Sequence, residues 1–522
     1  MKTIHKLHVA LLCCVAALTS CTACSDDGGD DDGGGAAPSS GLQLLDEATT
    51  LTIDPEGGSQ SVILKLPTLT TTVTATTSAD WLTAAKGLSP ASGQQKWTVS
   101  APKNETGEER TATVDFLASG YDSPLTVTFI QPRLLSVDEQ MPSNAKALIA
   151  KIHAGINIGN TLEVPDPDDE TAETKWGNPR VNVEYIAGLK ALGFNAVRIP
   201  CAMHSHQTDA ESHIISEAWI KRIKEVVGYC IDNDMYVVLN SHWDTGWLED
   251  NIFNPAKKKS ILAEQTAIWT QVAEAFRSYD EHLIFAGANE PGMNETSSQG
   301  QSWEKDPSAL ARLVEYEQAF IDAVRATGGN NTKRCLVFQG LGTDISHTAK
   351  YMGNIPTDTA NPDGRLIAEV HFYEPYPWAL MTEDASWGNT FFYWGEGNHK
   401  DGSAHNPTWG EESHVKSQMA SIKSKFVDAG IPVIIGEYSS RILSKSTDDE
   451  KLDLDLHQKS RAYYNQVVTR EAKNNGCAPF YWETGQEINR QTGEAKNQFA
   501  IDGIMAGADE GKYPSDALQT KP

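Results

Sequence analysis

The chain has 522 residues, of which 39% are apolar, and its formal net charge is −27 at pH 7. That length allows two domains, and that apolar fraction is enough for ordinary hydrophobic cores. The acidic excess disfavours nucleic acid or an anionic lipid surface as a partner, because phosphate groups are bound by clustered Lys and Arg. A neutral polymer suits this charge better.

The amino-terminal residues predict an export signal. Two early lysines precede an apolar run over residues 9–18, which is about half the length needed to span a bilayer. The tetrapeptide LTSC that ends at Cys21 resembles the bacterial lipobox, in which cleavage precedes a cysteine that then carries a lipid. The resemblance implies a signal peptide over residues 1–20 and an anchor to the membrane through lipid on Cys21. A plain secreted protein cleaved near Ala23 is the alternative.

Residues 21–42 predict a flexible tether, because they are mostly Asp, Gly and other small residues that cannot bury a surface. The early acidic residues of this segment resemble the surface-export signal of Bacteroidetes lipoproteins. That resemblance implies an exported outer-membrane lipoprotein that faces the outside of the cell.

Residues 43–132 predict a small Ig-like all-β sandwich, because short runs rich in Thr and Val alternate with Gly, Pro and Asn turns. Trp81, Asn104, Arg110 and Gln131 stand in a pattern that resembles the BACON domain found before many glycosidases. The resemblance implies either a spacer or a carbohydrate-binding module. We favour the spacer, because a lone Trp in a sandwich more often packs in the core.

Strands and helices then alternate over residues 140–512, which predicts a (β/α)₈ TIM barrel. A doubly wound open sheet is the alternative, but no glycine-rich phosphate turn follows the first strand. The predicted strands are eight short apolar runs, namely 155–160, 195–200, 235–242, 283–290, 335–340, 366–373, 432–438 and 479–484.

Polar or aromatic residues end most of these runs, and in such a barrel they meet at one cleft. Two of them, Glu290 and Glu437, are carboxylates that end the fourth and seventh strands. Hydrolysis of a glycosidic bond needs one carboxyl group to protonate the leaving oxygen and a second to attack or to activate water. A single strand-end Glu is more often part of a surface salt bridge, but the pair in this setting indicates a catalytic site.

The strand-end motifs resemble those of glycoside hydrolase family 5, and within it the endo-β-1,4-glucanases and xyloglucanases. The match spans nearly all of residues 140–510. It rests on seven motifs in the family order: GINIGNTLE, FNAVRIP, LNSHWD, LIFAGANEP, EVHFYEPY, VIIGEY and FYWE. The resemblance implies a retaining mechanism without a cofactor on plant cell-wall β-glucans that are cellulose-like, mixed-linkage or xyloglucan.

The same resemblance implies residue roles. Glu290 is expected to be the acid/base and Glu437 the nucleophile, and the remaining matched positions are expected to bind substrate: Asn160, Arg198, His242, Asn289, His371, Tyr373 and Trp482. Arg198 is expected to lower the pKa of Glu437 and keep it ionised for attack. We predict no metal site, because the two histidines have no third ligand at a recognisable spacing.

Aromatic residues after the third and sixth strands are candidates for contact with the apolar faces of sugar rings. Trp247 and Trp378 are the two that we favour, because both lie just past motifs that must face the cleft. His204, after the second strand, is a further candidate.

Several alternatives stay open. An endo-β-mannanase of the same fold, or a surface glycan-binding lipoprotein without catalysis, would share most of these features. We expect a monomer. The sequence cannot pair the four cysteines that follow the leader, which are Cys201, Cys230, Cys335 and Cys477.

Overall fold

The structure, a computed structural model, describes residues 40–294, 300–444 and 452–514. The chain forms two compact units that divide between Leu134 and Leu135. Within the described ranges, no helix is both long enough and apolar enough to cross a membrane. The predicted leader and most of the tether, with Cys21, lie outside the described residues.

The first unit consists of two four-stranded sheets, β1-β3-β6-β5 and β2-β8-β7-β4, and confirms the predicted all-β domain. Its strands are β1 Gln43–Leu44, β2 Thr50–Thr52, β3 Gly58–Lys65, β4 Val73–Thr77, β5 Thr83–Lys86, β6 Gln94–Ala101, β7 Arg110–Ala118 and β8 Leu125–Gln131.

Alternate residues of these strands form the core of the sandwich, as the period of two along a strand requires. Trp97 is buried there against Phe116. The guanidinium of Arg110 lies 4.3 Å from the centre of the Trp81 ring and covers one of its faces. Neither Trp of this unit therefore offers a fully open ring to a sugar, which favours the spacer interpretation.

The second unit contains a closed barrel of eight parallel strands, so the predicted (β/α)₈ fold is confirmed within the described residues. Each barrel strand overlaps one of the eight predicted runs. In chain order the strands of this unit are β9 Gly155–Asn157, β10 Ala196–Cys201, β11 Gln207–Asp209, β12 Ile214–Ile215, β13 Tyr236–Ser241, β14 Leu283–Ala286, β15 Leu336–Asp344, β16 Leu366–Phe372, β17 Val433–Tyr438 and β18 Cys477–Tyr481. β11 and β12 form a separate hairpin.

Helices connect the barrel strands, and their apolar faces pack on the outside of the barrel. The described α-helices are Val137–Gln140, Ala145–Ile149, Val183–Ala191, Glu217–Asp232, Lys258–Ala275, Pro307–Ala326, Ile345–Tyr351, Tyr376–Ala379, Glu412–Ile422, Leu454–Asn474 and Gln498–Glu510. The cysteines of this unit are buried and unpaired: Cys201, Cys230, Cys335 and Cys477.

The barrel strands bury both of their faces. Ile367 and Ile434 belong to an inner cluster, whereas Val370 and Ile435 belong to the cluster beneath the helices. Further along the strands the inward positions become polar, with Arg198 on β10 and Glu369 on β16. The polar ends of the strands thus meet above an apolar floor.

A shift in register between β16 and β17 shapes this polar end. Val370 pairs with Ile435, but the next residue, His371, pairs with Glu437, so Gly436 is an extra residue in β17. A Cβ atom on Gly436 would overlap the carboxylate of Glu369. A side chain on Gly436 would therefore force Glu369 to move, and the bulge brings His371 alongside Glu437.

Candidate active site

A cavity of about 600 Å³ opens at the carboxyl ends of the barrel strands. Most of the predicted site residues line it, and they come from five different strands or the loops that follow them. The lining residues are His242, Asn289, Glu290, Met293, Thr343, Asp344, Ile345, His371, Phe372, Tyr373, Glu374, Tyr376, Leu380, Glu437 and Trp482.

Arg198 lies beneath this cavity and is fully buried. Its Nη1 donates to Glu437 Oε1 at 2.9 Å, and its Nη2 donates to Asn289 Oδ1 at 2.8 Å. Its Nε lies 2.9 Å from Glu369 Oε1. One planar cation therefore holds residues of two other strands and of the loop after β14, a role to which the rigid fork of arginine is suited.

Glu437 is buried, and two neighbours hold its carboxylate. The hydroxyl of Tyr373 donates to Oε2 at 2.8 Å, while Arg198 donates to Oε1. Burial raises the pKa of Glu437, and His371, Arg198 and the Tyr373 hydroxyl act in the opposite direction. Arg198 thus acts in the predicted direction, and loss of water around the buried carboxylate acts against it.

His371 lies between the two candidate catalytic carboxylates. Its Nδ1 is 2.8 Å from Glu290 Oε1 and 3.7 Å from Glu437 Oε2, and its Nε2 is 3.3 Å from Glu369 Oε1. Burial lowers the pKa of His371, but the surrounding carboxylates outweigh burial and raise its pKa to about 10. The ring is therefore a cation at neutral pH.

One oxygen of Glu290, one of Glu437 and a ring nitrogen of His371 all lie within 4.8 Å of one another. Three such groups can hold a metal ion, so the expectation of no metal site stays a prediction. The separation of the carboxylates has a different meaning. Carboxyl groups about 5 Å apart are too close to place a water between them and are suited to direct attack by one of them.

Asn289, His242 and Trp482 surround the space between the carboxylates. With its oxygen held by Arg198, Asn289 has its amide nitrogen as the remaining donor. The rings of His242 and Trp482 lie parallel, with centres 5.7 Å apart. Burial, and then the charges of Arg198 and His371, hold the pKa of His242 well below its usual value, so this ring is neutral.

The prediction for Trp378 is wrong. Its side chain is only 1% exposed and packs edge-on against His457 and Tyr464, so it cannot touch a sugar. In the short helix Tyr376–Ala379, it is Tyr376 that faces the cavity and is 48% exposed. The neighbouring Trp387 is 66% exposed, and its ring centre lies 6.2 Å from that of Tyr376.

The three other predicted substrate-binding residues do not line this cavity. His204 and Trp247 stack with ring centres 6.0 Å apart, and His204 pairs with Glu264. Asn160 has a positive φ of 59°, and its backbone N–H is bonded to Glu163. Their contact with substrate stays a prediction.

The sequence interpretation missed Glu369, which holds both Arg198 and His371. A usable signal was present, because Glu369 precedes His371 by two residues and so lies on the same face of β16. It also missed Glu249, whose carboxylate accepts the backbone N–H groups of Asn289 and Glu290 from a loop 40 residues earlier. No short-range pattern connects these two segments.

The barrel and its paired carboxylates define a glycoside hydrolase. Residues 165–487, more than half of the chain, match the cellulase model of glycosyl hydrolase family 5, and residues 47–131 match the viral BACON domain model. The chain belongs to glycoside hydrolase family 5.

Its relatives include a xyloglucan-specific endo-beta-1,4-glucanase of Bacteroides ovatus, 32% identical over 89% of this chain and 91% of that protein. The solved structure of a Bacteroides ovatus GH5 xyloglucanase with a XXXG heptasaccharide is similar at a TM-score of 0.63 and 30% identity, covering 90% of this chain and all of that one. The xyloglucan-specific β-1,4-glucanase XEG5B from a ruminal metagenomic library reaches a TM-score of 0.64 and 36% identity, covering 71% and 98%.

Proposed function

We propose that this protein is a retaining endo-β-1,4-glucanase in which Glu437 is the nucleophile and Glu290 the acid/base. The observation that carries the proposal is the separation of the two carboxylates, whose nearest oxygens lie within 4.8 Å. That spacing belongs to double displacement, whereas an inverting enzyme needs roughly 6.5–9.5 Å for the attacking water.

In the first step, Glu437 attacks the anomeric carbon while Glu290 gives its proton to the departing oxygen. The hydrogen bonds from Tyr373 and Arg198 hold the attacking carboxylate in a fixed direction. The charge that appears on Glu290 as it loses its proton is stabilised by the His371 cation, 2.8 Å away.

In the second step, Glu290 takes a proton from water, and the oxygen of that water displaces Glu437 from the sugar. Asn289 is placed to donate to a hydroxyl group of the bound sugar, and Trp482 offers a ring face beneath it. His242 stays neutral beside Trp482, so it can donate or accept a hydrogen bond without adding charge at the reacting carbon.

The substrate that we propose is a plant cell-wall β-glucan, with xyloglucan as the first candidate because the relative and the two solved structures described above are all named for action on xyloglucan. Glu290 must face the leaving group, and Tyr376 and Leu380, which line the same cavity, are the apolar surfaces that we propose for the sugar chain. We propose that His204, Trp247 and Asn160, which do not line this cavity, contact sugars farther along the chain.

The test is release of reducing sugar from xyloglucan, barley β-glucan, carboxymethylcellulose and mannan by wild type, Glu290→Gln and Glu437→Gln. We expect glucan hydrolysis that both substitutions reduce by at least about a thousandfold. Covalent labelling is expected on Glu437 with a 2-deoxy-2-fluoro cellobioside, seen by intact mass and peptide mapping. Hydrolysis of mannan alone would refute the substrate, and full activity in Glu437→Gln would refute the mechanism.

We also propose that the chain is exported and carries lipid on Cys21. Incorporation of labelled fatty acid in the native host is expected for wild type and not for Cys21→Ala. Labelling of both forms, or of neither, would contradict the proposal.

A further inference from the structure

Glu249 is a buried acid next to the active site to which none of the roles above is assigned. It begins the short 3₁₀ turn Glu249–Asn251 in the loop after β13, and its side chain is 4% exposed. Its Oε1 accepts the backbone N–H of Asn289 at 3.0 Å and that of Glu290 at 2.9 Å. Its own carbonyl accepts the N–H of Gly292 at 2.9 Å.

These bonds satisfy backbone N–H groups that follow the end of β14 and no longer reach the neighbouring strand. β14 ends at Ala286, and the N–H of Gly287 is the last to reach the neighbouring strand, at Val337. The N–H of Ala288 is taken by the side chain of Gln339 at 2.9 Å. Glu249 takes the next two, so side chains replace the strand partner that buried backbone donors require.

We propose that Glu249 is a positioning residue for the acid/base, because it fixes the backbone from which the Glu290 side chain reaches the departing oxygen. This inference rests on the proposed role of Glu290. A general acid acts only when its proton lies within hydrogen-bonding reach of the leaving oxygen, so a small displacement of this backbone slows proton transfer.

The chemistry of Glu249 fits a neutral acceptor. Burial, together with the charge of Glu290, raises the pKa of Glu249 to about 8, so the carboxyl group is uncharged at neutral pH. A neutral carboxyl accepts both N–H groups without adding a second negative charge beside Glu290. Glutamine has the same shape and an equivalent carbonyl oxygen, and it should therefore replace Glu249.

The experiment measures kcat/KM at neutral pH for a series of aryl β-cellobiosides whose leaving groups differ in pKa, from 2,4-dinitrophenol to phenol. A good leaving group departs without a proton, so only poor ones depend on a well-placed acid. For Glu249→Ala we expect about a tenfold or greater loss on the poorest leaving group and little loss on 2,4-dinitrophenol. Glu249→Gln is expected to follow wild type across the series.

Glu281 provides a matched control. It is also buried and its carboxylate accepts a backbone N–H at 2.9 Å, but from Ser143, before the start of β14 and so at the opposite end of the barrel from Glu290. Any loss of kcat/KM in Glu281→Ala should be the same for every leaving group. If Glu249→Ala behaves in that uniform way, or if Glu249→Gln is as impaired as Glu249→Ala, the inference is overturned.

Two further variants separate the remaining outcomes. If Glu249→Ala does not fold, Glu249→Asp, which keeps the carboxyl group but shortens its reach, must show the dependence on leaving group. Glu290→Gln must show it most steeply. If kcat/KM of Glu290→Gln does not depend on the leaving group in this way, the proposed function itself fails. If Glu290→Gln shows the dependence but neither Glu249→Ala nor Glu249→Asp does, only the role of Glu249 is refuted.

Discussion

The buried cation of Arg198 allows stability and activity to be separated. Arg198→Met keeps much of the side-chain volume but removes one of the two cations that pair with Glu369, which is completely buried and keeps only His371, 3.3 Å away. Removing one partner of a buried pair costs roughly 3–5 kcal/mol, so we expect the free energy of unfolding of the barrel to fall by about that amount. Urea unfolding followed by tryptophan fluorescence measures it.

The activity should fall for a different reason. Arg198 also donates to Glu437 and Asn289, and loss of hydrogen bonds to a charged and a neutral group is worth about 3 kcal/mol, or roughly a hundredfold in kcat/KM. Adding Glu369→Gln removes the buried carboxylate that has lost its arginine, so the double variant should regain part of the lost stability but none of the lost activity. If Arg198→Met is within 1 kcal/mol of wild type, or if the double variant regains activity, this account of Arg198 is wrong.

Three further predictions follow from individual side chains. Trp387→Ala should raise KM for the polymer by about threefold to tenfold, since an exposed ring beside the cleft is lost, and should leave KM for an aryl β-cellobioside unchanged. Trp378→Ala should cost about 3–5 kcal/mol of unfolding free energy because the ring is a core side chain, and an unchanged urea midpoint would contradict this. Burial lowers the pKa of His371, but the nearby carboxylates raise it by more, so that it is about 10 in the folded protein against an ordinary value of 6.5. Its contribution to stability is therefore complete below about pH 6.5 and is lost as the pH rises toward 10, so His371→Asn should lose less unfolding free energy than wild type over that interval.

The barrel and the central site were predictable because their signals are local. Each barrel strand is a short apolar run that ends in a polar residue, and parallel strands in a closed barrel bring those ends together. Knowing the order of the strands was enough to place Glu290 near Glu437. The motifs around both residues also supplied the family.

The rest depended on packing that the sequence does not display. Tyr376 and Trp378 are two residues apart in one short loop, and only the turn of the helix Tyr376–Ala379 decides which ring faces the cavity. The pKa of Glu437 depends on a balance between burial and two cations, and a pattern of residues gives the sign of each contribution but not its size.

Gly436, which has no side chain, determines where the carboxylate of Glu437 lies. Gly436 and Glu437 together oppose a single position of β16, so Glu437 lies level with His371, whereas regular pairing would place it one residue farther along, by about 3.3 Å, beside Phe372. The volume that a side chain on Gly436 would have filled belongs instead to the carboxylate of Glu369. The position of Glu437 beside His371 and the space for the Glu369 carboxylate, which holds Arg198 and His371, thus both depend on the absence of a side chain at Gly436.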